Sequence, residues 1–138
     1  LVPLDEAELA THAFEHALST YPDAEFTVLH VIHPFETDFD PEVGFPDGSE
    51  GEWFETARRD AETLFDGARE LAAAEGKTLS TACEIGRPAR TIVAYAEDHD
   101  IDHIVMGSHG RSGLARVLLG SVAESVVRRS PVPVTIIR

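Results

Sequence analysis

Gly107, Gly110 and Gly120, with Ser121 directly after the last, make the pattern G-x2-G-x9-G-S. A β-rich run, IDHIVM (101–106), leads into it, and a helix-like run, VAESVVRR (122–129), leads out. Glycine lets backbone N–H groups approach an anion with no Cβ in the way. A helix start adds unpaired N–H groups and the positive end of the helix dipole. Ser121 supplies a hydroxyl and Arg111 a charge. The chemistry this set suits is the holding of phosphate. Neither common glycine fingerprint is present: no Gly-Lys pair completes a Walker loop, and the turn after the first apolar run reads LDEAE rather than G-x-G-x-x-G.

Such a loop needs a strand before it and a helix behind it, and the rest of the chain is built to the same rhythm. LVPL (1–4) reads as a strand already under way, so residues are expected before Leu1, a removed targeting segment among the possibilities. Asp5 and Glu8 form a D-x-x-E start signal, and Leu9, Ala10, Ala13, Phe14, Ala17 and Leu18 follow at helical spacing. EFTVLHVI (25–32) is a nearly continuous strand run, as for a strand covered on both faces. Residues 33–51 read as a long acidic loop, closed by a Ser49–Glu52 capping box. A long helix from Trp53 to Ala72 stops at Gly76. TLSTACEI (78–85) alternates as an edge strand, with Leu79, Thr81, Cys83 and Ile85 on the apolar side. Pro88 opens a helix with Ile92, Val93 and Ala96 on its stripe, and a last helix covers about 120–130. VPVTIIR (132–138) ends the chain as a strand whose Pro133 puts it at an edge. Strands alternating with helices imply one α/β domain over 1–138, a parallel sheet with helices on both faces. Ligands of such sheets lie beyond the carboxyl ends of the strands, where the glycine loop falls.

The chain has 138 residues, with 25 acids against 11 bases, for a net charge of −14. Lys77 is its one lysine. That surface repels nucleic-acid backbone, so no DNA or RNA partner is expected. Acid excess with almost no lysine reads as adaptation to a high-salt cytoplasm, where ions screen self-repulsion, and points to a halophilic source. No apolar run reaches the ~20 residues of a membrane span, so a cytoplasmic protein with no membrane partner is expected. Cys83 stands alone, which excludes an internal disulfide, and reads as a small buried hydrophobe. His12 and His16 read as a surface pair, and neither they nor His30 and His33 have a third ligand in sight, so no protein metal site is expected.

On these motifs the chain resembles the universal stress protein (UspA-like) family, in its ATP-binding branch. LVPLD resembles the family's first strand with its acidic residue, VLHVI its second, and GRPARTIVAYAEDHDIDHIVMGSHGRSG its third helix, fourth strand and phosphate loop. LLGSVAESVVRRSPVPVTIIR resembles its last helix and strand. The resemblance implies a flavodoxin-like (adenine nucleotide alpha hydrolase-like) three-layer sandwich with a five-stranded parallel sheet in the order 3-2-1-4-5. It implies that Pro3, Leu4 and Asp5 face the adenosine and that Val31 touches adenine. Met106, Gly107, His109, Gly110 and Arg111 would surround ribose and phosphates, and Gly120, Ser121 and Val122 would close on the phosphates. The implied ligand is ATP, or AMP or ADP, with Mg2+ or Mn2+ held by the phosphates. A homodimer through the last strand, 132–138, and a binding and signalling role in stress response are implied with it. Ala7, where the family often has Ser, is a departure. Asp5 also reads as a helix cap, and Met106 equally as core.

The absence of a Walker lysine and of an evident base argues against an enzyme, with no residue assigned a catalytic role. The rival readings are a slow ATPase or nucleotidyl-transfer enzyme of related architecture, and a dimeric interaction module that binds no nucleotide. The charge reading has a direct check. Between about 0.1 M and about 2 M KCl the Debye length falls from ~10 Å to below ~3 Å, and Tm is expected to rise. A flat or falling Tm would remove the high-salt reading.

Overall fold

The computed structural model describes residues 1–34, 50–109 and 119–138. Strands and helices alternate: β1 (Val2–Pro3), α1 (Glu8–Thr20), β2 (Phe26–Ile32), α2 (Glu50–Ala74), β3 (Leu79–Ile85), α3 (Pro88–Asp98), β4 (Ile104–Gly107), α4 (Ser121–Arg129) and β5 (Val134–Ile137). The strands pair in parallel as two ladders, β1-β2-β3 and β4-β5. Leu1 stands between them: its nitrogen donates to the His103 carbonyl at 2.8 Å, and its carbonyl accepts from the Val105 N–H at 3.0 Å. The architecture is the expected α/β one, met as ladders of three and two strands.

Alternate side chains send the strands into two cores. Phe26 and Val28 of β2 and Val105 of β4 join Ala13, Phe14 and Ala17 of α1 and Ala61, Phe65 and Ala68 of α2. Leu29 of β2 and Ile104 and Met106 of β4 join Ile92 and Ala96 of α3 and Ala123 and Val126 of α4. Helices therefore lie on both faces of the strands. Phe14 and Phe26 meet edge to face, their ring centroids 6.2 Å apart.

Local chemistry sets the helix ends. α1 starts at Glu8 behind Ala7, which makes no side-chain cap; Asp5 Oδ1 instead accepts the Ala7 N–H at 2.9 Å, closing a turn ahead of the helix. At the far end Lys77 Nζ donates to the Leu18 carbonyl at 2.5 Å, so the single lysine satisfies one of the open carbonyls of α1. α2 stops as expected at Gly76, where φ is +68° and the Lys77 N–H reaches back to the Ala72 carbonyl at 2.8 Å. The Ser49 half of the expected capping box lies outside the described residues, as does most of the 33–51 loop.

β3 is an outer strand of its ladder, as its alternation suggested, but its far half departs from expectation. Cys83 and Ile85 are exposed. Cys83 is thus not the buried hydrophobe expected: the side of this outer strand that carries it stays open to solvent. Partial desolvation, outweighing nearby Arg58, still pushes its thiol pKa up, which lowers its reactivity. IDHIVM pairs only from Ile104 onward. His12 and His16 are exposed, His12 beside Glu8 at 3.8 Å and His16 at 3.3 Å from Thr20 Oγ1. Among the described residues no helix is long and apolar enough to cross a membrane.

Gly107 shows why one glycine of the motif is needed for the fold itself. A Cβ there would lie 3.0 Å from the carbonyl carbon, carbonyl oxygen and Cβ of Leu9, where α1 crosses the end of β4. Gly67, in the exposed middle of α2, has nothing within 4 Å of such a Cβ. Gly107→Ala should cost about 1–3 kcal/mol through overpacking. Gly67→Ala should gain about 1 kcal/mol through helix propensity alone. Denaturant unfolding of the two variants measures both; equal effects would disprove the close approach at 107.

Candidate functional site

Parallel pairing brings the carboxyl ends of the strands to one end of the molecule. β1 ends at Pro3, and the chain leaves through Leu4, buried in the α1–α2 core, and half-buried Asp5. The Leu1 bonds set Leu1 level with Ile104, so β1 runs out beside β4. Val31, two residues past the Leu29 partner of Pro3, lies near the exit of β2 and packs toward the α3–α4 core.

The exit of β4 is held by Ser108, 3% exposed. Its N–H donates to the Ile137 carbonyl of β5 at 2.7 Å, and its carbonyl accepts the Gly120 N–H at 2.8 Å. One residue therefore links the ends of β4 and β5 to the start of α4. Its hydroxyl lies 2.9 Å from His109 Nδ1. Gly120 is the N-cap of α4 and makes no side-chain cap. A Cβ on Gly120 would lie 3.0 Å from the Ser108 carbonyl oxygen and 3.5 Å from His109 Cα. The glycine thus lets the helix start sit directly against the strand exit.

α4 opens with exposed Ser121 and half-buried Val122, and its first intrahelical bond runs from the Glu124 N–H to the Gly120 carbonyl at 2.9 Å. The N–H groups of 121–123 precede that bond, the arrangement that favours an anion. Glu124 works against an anion there, but Arg128 Nη2 holds its Oε1 at 2.7 Å.

Of the residues expected at the site, His109 and Gly120 meet at Ser108, Ser121 and Val122 open α4 behind them, Met106 and Gly107 end β4, and Pro3, Leu4, Asp5 and Val31 lie at the exits of β1 and β2. Gly110 and Arg111 lie outside the described residues. Two expectations change in kind. Met106 is 5% exposed and packs with Leu29, Ile104, Ala123 and Val126, so its side chain is core, and what it offers the site is backbone. Gly107 faces Leu9.

Two residues that the motif did not single out are structural centres of the site. Ser108 hides inside G-S-H-G, where the eye follows the glycines. His30, 8% exposed, sits on the face of β2 shared by Phe26 and Val28, and its Nδ1 bonds the Leu4 carbonyl at 2.8 Å. The signal was available: a lone polar side chain in an apolar run covered on both faces must find a buried partner.

The frame is that of an α/β domain with its candidate site beyond the carboxyl ends of parallel strands. The universal stress protein family model matches residues 1–138, and the chain belongs to that family. It is 33% identical over 143 residues to universal stress protein MJ0531 of Methanocaldococcus jannaschii, covering 100% of this chain and 80% of the relative. The solved structure of MJ0577, which has 30% identity to it, superposes with a TM-score of 0.84 over 99% of this chain and 92% of that one. A universal stress protein in complex with cAMP shares the fold, at 24% identity and a TM-score of 0.68 over 99% of this chain and 94% of that one.

Proposed function

We propose that this chain binds an adenine nucleotide, ATP or its relatives ADP and AMP, and acts as a binding and signalling module in stress response. The observation that carries the reading is the meeting of Ser108, His109 and Gly120: a glycine-capped helix start pressed against a strand exit. Its open N–H groups and the Ser121 hydroxyl suit phosphate oxygens. Arg111 and Gly110 would complete the phosphate loop, and Asp5 and Val31 would take the adenosine. The cAMP complex lends support at the level of fold, since an adenine nucleotide is the ligand of that protein. Mg2+ or Mn2+ would enter with the phosphates, because such hard cations take phosphate and water oxygens readily.

Two further features belong to the same reading. The two ladders act as one five-stranded sheet in the order 3-2-1-4-5, joined through the hydrogen bonds of Leu1. A homodimer forms through the last strand, 132–138, where β5 is half-buried along its whole length at the edge of its ladder. A high-salt cytoplasm remains the setting that the charge of −14 supports.

Calorimetric titration with Mg-ATP at high KCl tests the ligand. The wild-type chain should bind, and Gly120→Val should not. Because a side chain at 120 also presses on the Ser108 carbonyl, Ser121→Ala is the gentler probe, weakening Kd by about three- to tenfold. Unchanged affinity in both variants would refute the site, and no heat with the wild type would refute the nucleotide.

Turnover should be slow or absent. Phosphoryl transfer needs a positioned nucleophile, a metal and stabilisation of developing charge. The described residues at the site supply holding groups, which grip ground and transition states alike and give affinity without rate. His109 is the nearest base, and its Nδ1 is engaged with Ser108. Phosphate release should fall far below the ~10 s⁻¹ median of enzymes. Turnover near about one per second, lost in His109→Ala with binding intact, would make the protein an enzyme.

A further inference from the structure

We propose that His30 is a positioning residue of the nucleotide site: its ring takes over from the β ladder at the exit of β1 and holds the backbone that presents Asp5. The proposal rests on the adenine-nucleotide reading above and adds a residue to it.

The last ladder pair between β1 and β2 is Pro3 with Leu29. The Leu4 N–H still reaches the Leu29 carbonyl at 2.8 Å. Continued pairing would set Leu4 opposite His30 and bring a backbone N–H of β2 to the Leu4 carbonyl. The ladder stops instead, and that carbonyl is bonded by the side chain of His30, Nδ1 to oxygen at 2.8 Å. Leu4 is thus gripped at both its N–H and its C=O, although β1 ends one residue earlier. The grip lets the chain leave the sheet and turn at once. Asp5 follows directly, and its Oδ1 accepts the Ala7 N–H at 2.9 Å. That turn uses one carboxylate oxygen and leaves the other for a ligand. A ladder bond in place of the imidazole would carry β1 on as strand and rotate Asp5 with it, because successive strand residues face opposite sides.

A carbonyl oxygen can only accept, so Nδ1 must carry the hydrogen. The burial of the ring makes the bond consequential: without a donor the Leu4 carbonyl would be left unsatisfied inside the α1–α2 core. The role belongs to Nδ1 and not to Nε2, and this separates two near-isosteric substitutions. The amide nitrogen of Asn lies about where Nδ1 lies, and that of Gln about where Nε2 lies.

The test is calorimetric titration of the full chain with Mg-ATP, alongside Tm, for wild type, His30→Asn and His30→Gln. His30→Asn should keep Kd within about threefold of wild type, and His30→Gln should weaken it about tenfold or more. Equal affinities in the two variants, whether both kept or both lost, would overturn the proposal, since a residue that only fills space has no reason to prefer Asn. Independently of ligand, long-range 15N–1H correlation spectra of the wild-type chain at alkaline pH should show His30 as the Nδ1–H tautomer. The Nε2–H tautomer would remove the grip. If the wild type fails to bind Mg-ATP while the Nδ1–H tautomer is present, the nucleotide reading fails and takes the positioning role with it. The local bond to Leu4 would then stand as a feature of the fold.

Discussion

The two short hydrogen bonds of the Ser108 backbone are the constraint on which the rest of the site depends. The N–H ties β4 to Ile137 of β5, and the carbonyl ties it to Gly120 at the head of α4. A carbonyl that holds a helix start so closely leaves no room for a side chain on the residue it holds, and glycine at 120 follows from that. The start of α4 then stands at the carboxyl end of β4 with its first N–H groups ahead of any intrahelical bond, and Ala123 and Val126 are set into the core shared with Ile104 and Met106. Packing and anion-binding geometry are thus two results of one tie. On the other face Gly107 does the corresponding work, admitting Leu9 of α1 against the strand end. Glycines that sequence inspection assigns to a ligand are, at 107 and 120, first required by backbone contact.

Charge is managed by placement. With a net charge of −14, each cation has many acids to answer. Arg69 spans three groups, Asp66 at 2.7 Å, Glu62 at 3.5 Å and Thr81 Oγ1 at 3.2 Å. Exposed pairs of this kind contribute little each, about 0–1 kcal/mol, and salt screens them further. Lys77 is used differently, on a backbone carbonyl in a part-buried setting, where the bond closes the end of α1 and joins it to the turn after α2. A chain with one lysine has spent it on a helix terminus.

The elements were legible in the sequence wherever a period or a cap states them. The apolar spacing of α1 names its buried residues, Gly76 marks the end of α2, and Pro88 the start of α3. Errors cluster where a side chain's fate depends on what another element covers. Alternation in β3 placed Cys83 and Ile85 inward, but that side of the outer strand stays open to solvent there, and both are exposed. The D-x-x-E signal at Asp5 suggested a capped helix start, whereas the helix begins at Glu8 and Asp5 serves the turn before it. Met106 read equally as core or ligand wall, and only the packing of α3 and α4 over β4 puts it in the core.

By itself the sequence determined the alternation of strands and helices, the position of the glycine loop between a strand and a helix, the acidic surface and the family resemblance. All of these are local in the chain or sums over it. Only the tertiary structure decided that Ser108, and not a glycine, ties the strand exits to the helix start, that Gly107 answers to Leu9, and that His30 reaches the Leu4 carbonyl 26 residues away. Those bonds join groups that lie far apart in sequence, and their partners are backbone atoms. Every residue carries the same backbone atoms, so no pattern of side-chain types can announce which of them will meet.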